Sequence, residues 1–134
     1  MTRKEYIKAN HQWLAEKAKE EGVGKIGPGV YRKVIASGEE NAPQPNLASI
    51  VTAHYTGRTI DGKTFDDSRA EGSTPPAFRV RDLIDGWQMA LTQMRRGDKW
   101  ELYIAAEAGY GQYSQPGIPA GSTLVFEIEL ISVA

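Results

Sequence analysis

Ile84-Asp85-Gly86-Trp87-Gln88-Met89-Ala90-Leu91-Thr92-Gln93-Met94, followed beyond Gly97 by Lys99-Trp100-Glu101-Leu102-Tyr103-Ile104, changes its hydrophobic period within one short stretch. Ile84, Trp87, Leu91 and Met94 step by three, four and three, which sets them on one face of a helix that stops at Gly97. Trp100, Leu102 and Ile104 then alternate with Lys99, Glu101 and Tyr103, the pattern of a half-buried strand. Leu124, Phe126, Ile128 and Leu130 alternate with Val125, Glu127 and Glu129 in the same way. Upstream, Val30 to Ile35 and Ile50 to Arg58 are β-prone runs, and Ala77 to Val80 is a shorter one. Asp61-Gly62, between Thr59-Ile60 and Lys63-Thr64-Phe65, predicts a hairpin reversal of type I′. No β-α-β alternation suggests parallel strands. The expected class is α+β, a twisted antiparallel sheet against one short central helix.

The N-terminal part reads differently. Arg3 to Glu21 lacks proline and glycine and carries a thin apolar stripe of Ile7, Leu14 and Ala18 beside Trp13, so a helix ending at Gly22 is expected. Packing of that stripe on the domain is favoured over pairing with a partner helix. Gly22 to Gly29 holds four glycines and Pro28 and reads as a linker. The expected organisation is residues 1–24 as N-terminal helix and linker and 25–134 as the main domain.

Composition excludes several function classes. Lys plus Arg number 16 against 17 Asp plus Glu, so no long-range field draws nucleic acid or anionic lipid, and neither partner is expected. There is no cysteine, hence no disulfide, thiolate or Cys-zinc chemistry. Residues 1–10 are polar and lack the apolar core of a secretory signal, and the expected location is cytoplasmic unless a leader has been trimmed. The two histidines, His11 and His54, have no ligand cluster in sequence around them, so neither metal nor cofactor is expected, and His54 reads as a sheet histidine satisfied by its neighbours. No Gly-x-Ser-x-Gly, Walker or dinucleotide motif occurs. Asp66 and Asp67 are adjacent on an extended segment, so at most one of them faces a pocket.

Val51-Thr52-Ala53-His54-Tyr55-Thr56-Gly57 and Asp61-Gly62-Lys63-Thr64-Phe65-Asp66-Asp67-Ser68-Arg69 resemble two signature segments of the FKBP family, followed in order by Leu83-Ile84-Asp85-Gly86-Trp87, Gly109-Tyr110-Gly111, Pro116-Gly117-Ile118-Pro119 and Leu124 to Leu130. The resemblance spans roughly Gly29 to Val133. It implies a sheet half-wrapped around the central helix, with a shallow proline pocket between them. It further implies peptidyl-prolyl cis/trans isomerase activity on proline-containing peptides and unfolded proteins, and binding of macrolide inhibitors. By position, Trp87 would form the pocket floor and Tyr55, Phe65, Phe126, Leu83 and Ile84 its walls. Asp66 and Tyr110 would be its polar groups, and Ile118 would sit on an overhanging loop. Catalysis is assigned to Asp66, Tyr110 and Tyr55, with Phe65, Leu83, Ile84, Trp87, Ile118 and Phe126 binding substrate.

The chain departs from the family pattern at Pro76 and Ala108, where aromatics are common, at Gln115, where histidine is common, and at Glu71, where an arginine often pairs with the pocket aspartate. Arg69 is then the candidate partner of Asp66. Asn10 to Val23 resembles the helix-to-domain junction of bacterial relatives with dimerising helical arms, but without a long stalk, and a monomer is favoured over a helix-mediated dimer. A non-catalytic proline-peptide-binding or chaperone module is the alternative reading.

Overall fold

The sheet of the computed structural model, which describes residues 1–70 and 72–134, is built on β3 (Ile50–Arg58) and β7 (Leu124–Val133), paired antiparallel along almost their whole length. On the far side of β7 follow β6 (Lys99–Ile104), β2 (Val30–Ala36) and β1 (Val23–Gly27), all antiparallel. The other edge of β3 is shared: β4 (Thr64–Asp67) pairs with its C-terminal end and β5 (Ala77–Arg79) with its N-terminal end. Helix α2 (Asp85–Leu91) lies on the concave face, where Trp87, Ala90 and Leu91 join Val51, Ala53, Leu102, Ile104, Leu124, Ile128 and Leu130 in one buried core. The α+β architecture expected from the change of period is the architecture observed.

The Asp61-Gly62 reversal is present, but its turn type differs. Only Gly62 has positive φ, at 84°, and its N–H donates to the Thr59 carbonyl at 3.0 Å. The loop is therefore a type I turn closed by a left-handed glycine, the three-residue form that goes with an adjacent bulge.

Two N-terminal expectations are corrected. Helix α1 spans Arg3–Lys17 and stops short of Glu21, because the chain must turn at Gly22 (φ 85°) for Val23 to pair with Lys33. The 22–29 segment is then not a linker but strand β1 and its turn into β2, and the 24/25 division falls inside a strand. Glycine is tolerated in that strand for a packing reason. A Cβ on Gly27 would lie 2.5 Å from Sδ of Met89, so glycine lets α2 close onto the hairpin.

Helix α1 opens with a capping box, Thr2 and Glu5 exchanging hydrogen bonds at 3.1 Å each way. It packs on the convex face of the sheet, where Leu14 and Trp13 meet Tyr103, Val125 and Tyr31. This explains why Tyr103 and Val125, on the nominally polar side of their alternating strands, are 1% and 6% exposed.

Candidate active site

Tyr55 of β3 and Phe126 of β7 project from the concave face toward Trp87 of α2, and each meets the Trp87 ring edge to face. Centroids are 5.0 Å apart for Tyr55 and Trp87, and 5.2 Å for Trp87 and Phe126. Phe65 closes on Phe126 at 5.6 Å and Phe78 on Trp87 at 5.8 Å. With Leu83, Ile84, Asp66, Asp82 and Tyr110 these side chains line an open cavity of about 300 Å³, with Trp87 buried at its base. That is the lower end of the size range for small-molecule and peptide-side-chain sites.

Each wall has a local cause. In β4 the register steps from Gly57 opposite Asp66 to Arg58 opposite Thr64, which leaves Phe65 as an extra, bulged residue. A bulge breaks strict alternation, so consecutive Phe65 and Asp66 both face the cavity. Gly57 leaves space for the rings, since a Cβ there would stand 2.7 Å from both Phe126 and Phe65. Leu83 and Ile84 lie between a short 3-10 turn, Val80–Asp82, and α2. Val80 and Arg81 donate to the carbonyls of Ser49 and Leu47 at 3.1 and 3.0 Å, and Gln88 Nε2 donates to the Leu83 carbonyl at 2.7 Å. The Ile84 carbonyl caps α2 by accepting from Trp87 and Gln88, while among the described residues its own N–H makes no hydrogen bond.

The polar groups are few. The Tyr55 hydroxyl donates to Asp66 Oδ2 at 2.7 Å. Burial, reinforced by that hydrogen bond and by the Asp66 charge, holds the Tyr55 phenol well above the ordinary tyrosine range, so it stays a neutral donor. The Tyr110 hydroxyl has no hydrogen-bond partner among the described residues and borders the cavity. His54 is 7% exposed and structural: Nε2 donates to the Ser73 carbonyl and Nδ1 accepts from Ser68 Oγ, both at 2.9 Å. It occupies the gap between β4 and β5 and ties down both sides of the connecting loop.

Eight of the nine site residues expected from sequence therefore line one cavity: Tyr55, Phe65, Asp66, Leu83, Ile84, Trp87, Tyr110 and Phe126. Ile118 does not. Its apolar side chain is drawn inward, 5% exposed, and borders a separate hollow with Tyr6 and Pro119, while its backbone exchanges hydrogen bonds with Gln115. Asp67 stays outside this cavity, its Oδ1 accepting from the Arg69 N–H at 3.0 Å, but it borders with Asp66 the adjoining hollow beside the 68–76 loop, so the expectation that at most one of the two faces a pocket is corrected. Arg69 is not the partner of Asp66: its guanidinium reaches across to Glu129 on β7 at 3.5 Å, and Glu71 lies outside the described residues. Phe78 and Asp82 were missed. The available signal for Phe78 was its place in the short run after Pro76, but only pairing of β5 with β3 turns that ring toward Trp87.

An aromatic cleft lined by two tyrosine hydroxyls and by the carboxylates of Asp66 and Asp82 offers room and contact for a compact apolar ring carried on a polar chain. A family model described as FKBP-type peptidyl-prolyl cis-trans isomerase matches residues 41–131. The FKBP-type 22 kDa peptidyl-prolyl cis-trans isomerase of Escherichia coli is 45% identical over 123 residues, covering 91% of this chain and 58% of that protein. The peptidyl-prolyl cis-trans isomerase Mip of Coxiella burnetii is 39% identical over 113 residues, covering 84% of this chain and 48% of that one. The crystal structure of a peptidyl-prolyl cis-trans isomerase from Pseudomonas syringae pv. tomato superposes with a TM-score of 0.90 at 33% identity, covering 100% of this chain and 97% of the other. The chain belongs to the FKBP-type peptidyl-prolyl cis-trans isomerase family. It spans about half the length of the curated relatives it matches.

Proposed function

We propose that this chain accelerates cis/trans rotation of X-Pro bonds in peptides and unfolded proteins, with the proline ring seated against Trp87. The observation that carries this reading is the Trp87-floored cavity, whose polar groups can position an amide without attacking it.

A planar amide resists rotation by about 18–20 kcal/mol because resonance places charge on oxygen and double-bond character between C and N. The twisted transition state has lost that charge separation. Transfer from water to an aromatic cavity therefore disfavours the planar form relative to the twisted one and lowers the barrier with no proton transfer. The free Tyr110 hydroxyl donates to the substrate carbonyl, the unpaired Ile84 N–H holds the carbonyl that follows, and Asp66 keeps the Tyr55 hydroxyl in place. Each roughly 1.4 kcal/mol gained this way is tenfold in rate. The same cavity is proposed to admit macrolide inhibitors, which would compete with peptide.

The test is a protease-free isomerisation assay on a short X-Pro peptide and on a protein whose refolding is limited by proline. Acceleration is expected, with Tyr110→Phe folded and slower by about five- to tenfold, the worth of one hydrogen bond, and Asp66→Ala also slower. Folded wild type that accelerates neither substrate would leave a proline-peptide-binding or chaperone module as the function. A fully active Tyr110→Phe would remove its hydrogen bond from the mechanism.

A monomer in the cytoplasm is part of the same proposal. The monomer is supported by α1, whose apolar residues Leu14 and Trp13 are already engaged on this chain's own sheet. Sedimentation velocity should give a single species near 14.7 kDa; a species of twice that mass would refute the monomer, and activity confined to the envelope fraction of cells would refute the location.

A further inference from the structure

Tyr110 sits in a loop with little stiffness of its own. Gly109 and Gly111 flank it, Gly111 has φ 60°, and among the described residues the Tyr110 hydroxyl has no partner. What fixes the loop is its return limb, 119–123, which lies under helix α1. Asn10 is completely buried there: its Oδ1 accepts from the Thr123 N–H at 2.8 Å and its Nδ2 donates to the Tyr6 carbonyl at 2.8 Å. One turn earlier the Tyr6 hydroxyl donates to Ser122 Oγ at 2.7 Å, and Ser122 in turn donates to the Pro119 carbonyl at 2.6 Å. Between them Ile7 covers Gly121 so closely that a Cβ at that position would lie 2.5 Å from Ile7 Cγ1.

The contact is passed on to the active-site side of the loop. The Gly121 N–H donates to the Gly111 carbonyl at 2.8 Å, and the Gly111 N–H donates to the Ala106 carbonyl at 2.7 Å, which pins the residue next to Tyr110 to the first residue of the 3-10 turn after β6, Ala106–Ala108. Asparagine is a poor residue for a helix interior, and here it is engaged 113 residues away in sequence. We propose that α1 is a brace for this loop, and that Asn10, seconded by Tyr6, is a positioning residue that sets the aim of the Tyr110 hydroxyl. The inference rests on the isomerase reading of the site.

The test is the full chain carrying Asn10→Ala, assayed on a short X-Pro peptide well below its unfolding temperature, with kcat and KM separated and Tyr110→Phe as the second arm of a double-mutant cycle. Amide hydrogen exchange at Gly111 and Gly121 is followed in parallel. Asn10→Ala is expected to lower kcat by about tenfold with KM changed less than about twofold, because misplacement of a positioned group is costly in rate. It should also speed exchange at both glycines and have little further effect once the Tyr110 hydroxyl is gone. Asn10→Asp, which keeps an acceptor for Thr123, should recover part of the rate. If Asn10→Ala does not fold, Tyr6→Phe removes a single hydroxyl and enters the same cycle, with a drop of about two- to threefold expected. A folded variant with unchanged kcat, or one whose loss is equal with and without the Tyr110 hydroxyl, would show that α1 serves stability alone. An inactive wild type would overturn the isomerase reading, and the exchange rates would still decide whether α1 braces the loop.

Discussion

Trp87→Ala is expected to lower the free energy of unfolding by about 3–5 kcal/mol and to abolish binding of proline peptides, the cost range of deleting a large aromatic from a core. Trp87 is 4% exposed, and its ring is shared by the core and the cavity. It makes edge-to-face contacts with Tyr55, Phe78 and Phe126, each such pair worth about 0.5–1.5 kcal/mol beyond simple burial. Helix α2 has only seven residues, too few to hold its shape unaided, so its position depends on the side chains it buries, Trp87 foremost. Equilibrium urea unfolding gives the first quantity and calorimetric titration with an X-Pro peptide the second. Trp87→Leu separates the two roles. It keeps an apolar side chain under α2 and should fold, yet it lacks the flat ring against which the proline is proposed to sit and should bind poorly. A folded Trp87→Leu with wild-type affinity would mean that the cavity floor is not what the peptide senses.

The second large effect is expected at a residue with no side chain. Gly57 lies on β3 opposite Phe126 on one side and Asp66 on the other, under the two rings that form one wall of the cavity. A methyl group there would stand 2.7 Å from Phe126 Cε1 and from Phe65 Cε1 and Cζ, well inside contact distance, and Phe126 is buried and cannot swing away freely. Gly57→Ala should therefore cost about 1–3 kcal/mol by overpacking. The displaced rings have the cavity as their free volume, so they should also narrow a site of only about 300 Å³ and reduce kcat/KM by about tenfold or more. Gly62→Ala is the matched control. It imposes strain at φ 84° but meets nothing within 4 Å, so it should lower stability and leave the activity of the folded protein intact. Wild-type kinetics in Gly57→Ala would show that the rings yield away from the cavity.

The sequence by itself determined the presence and buried face of the central helix, the strands β3, β6 and β7, the reversal at Asp61-Gly62 and most of the pocket, but not the helix's end, which falls at Leu91 rather than at Gly97. Each of these rests on a local periodicity, a turn residue or a segment whose order carries the family resemblance. The concave-face alternation of Trp100, Leu102 and Ile104 is visible residue by residue, and Trp87 follows from the step between Ile84 and Leu91.

What only the tertiary structure decided are features that depend on a partner distant in the chain. Strand β1 looks like a glycine linker until β2 and Met89 are placed beside it. Phe65 and Asp66 share one cavity only because pairing with β3 leaves Phe65 as a bulge. Phe78 enters the site through a three-residue strand. Arg69 turns to Glu129 rather than to Asp66, which is nearer in sequence, because β7 lies alongside β3. The thin stripe of α1 understated its role, because one of its attachments is a buried asparagine, a residue that hydropathy counts as polar and whose side-chain oxygen is satisfied by the far limb of the Tyr110 loop. Periodicity reports which face of an element is buried, whereas pairing register and long-range hydrogen bonds decide what that face meets.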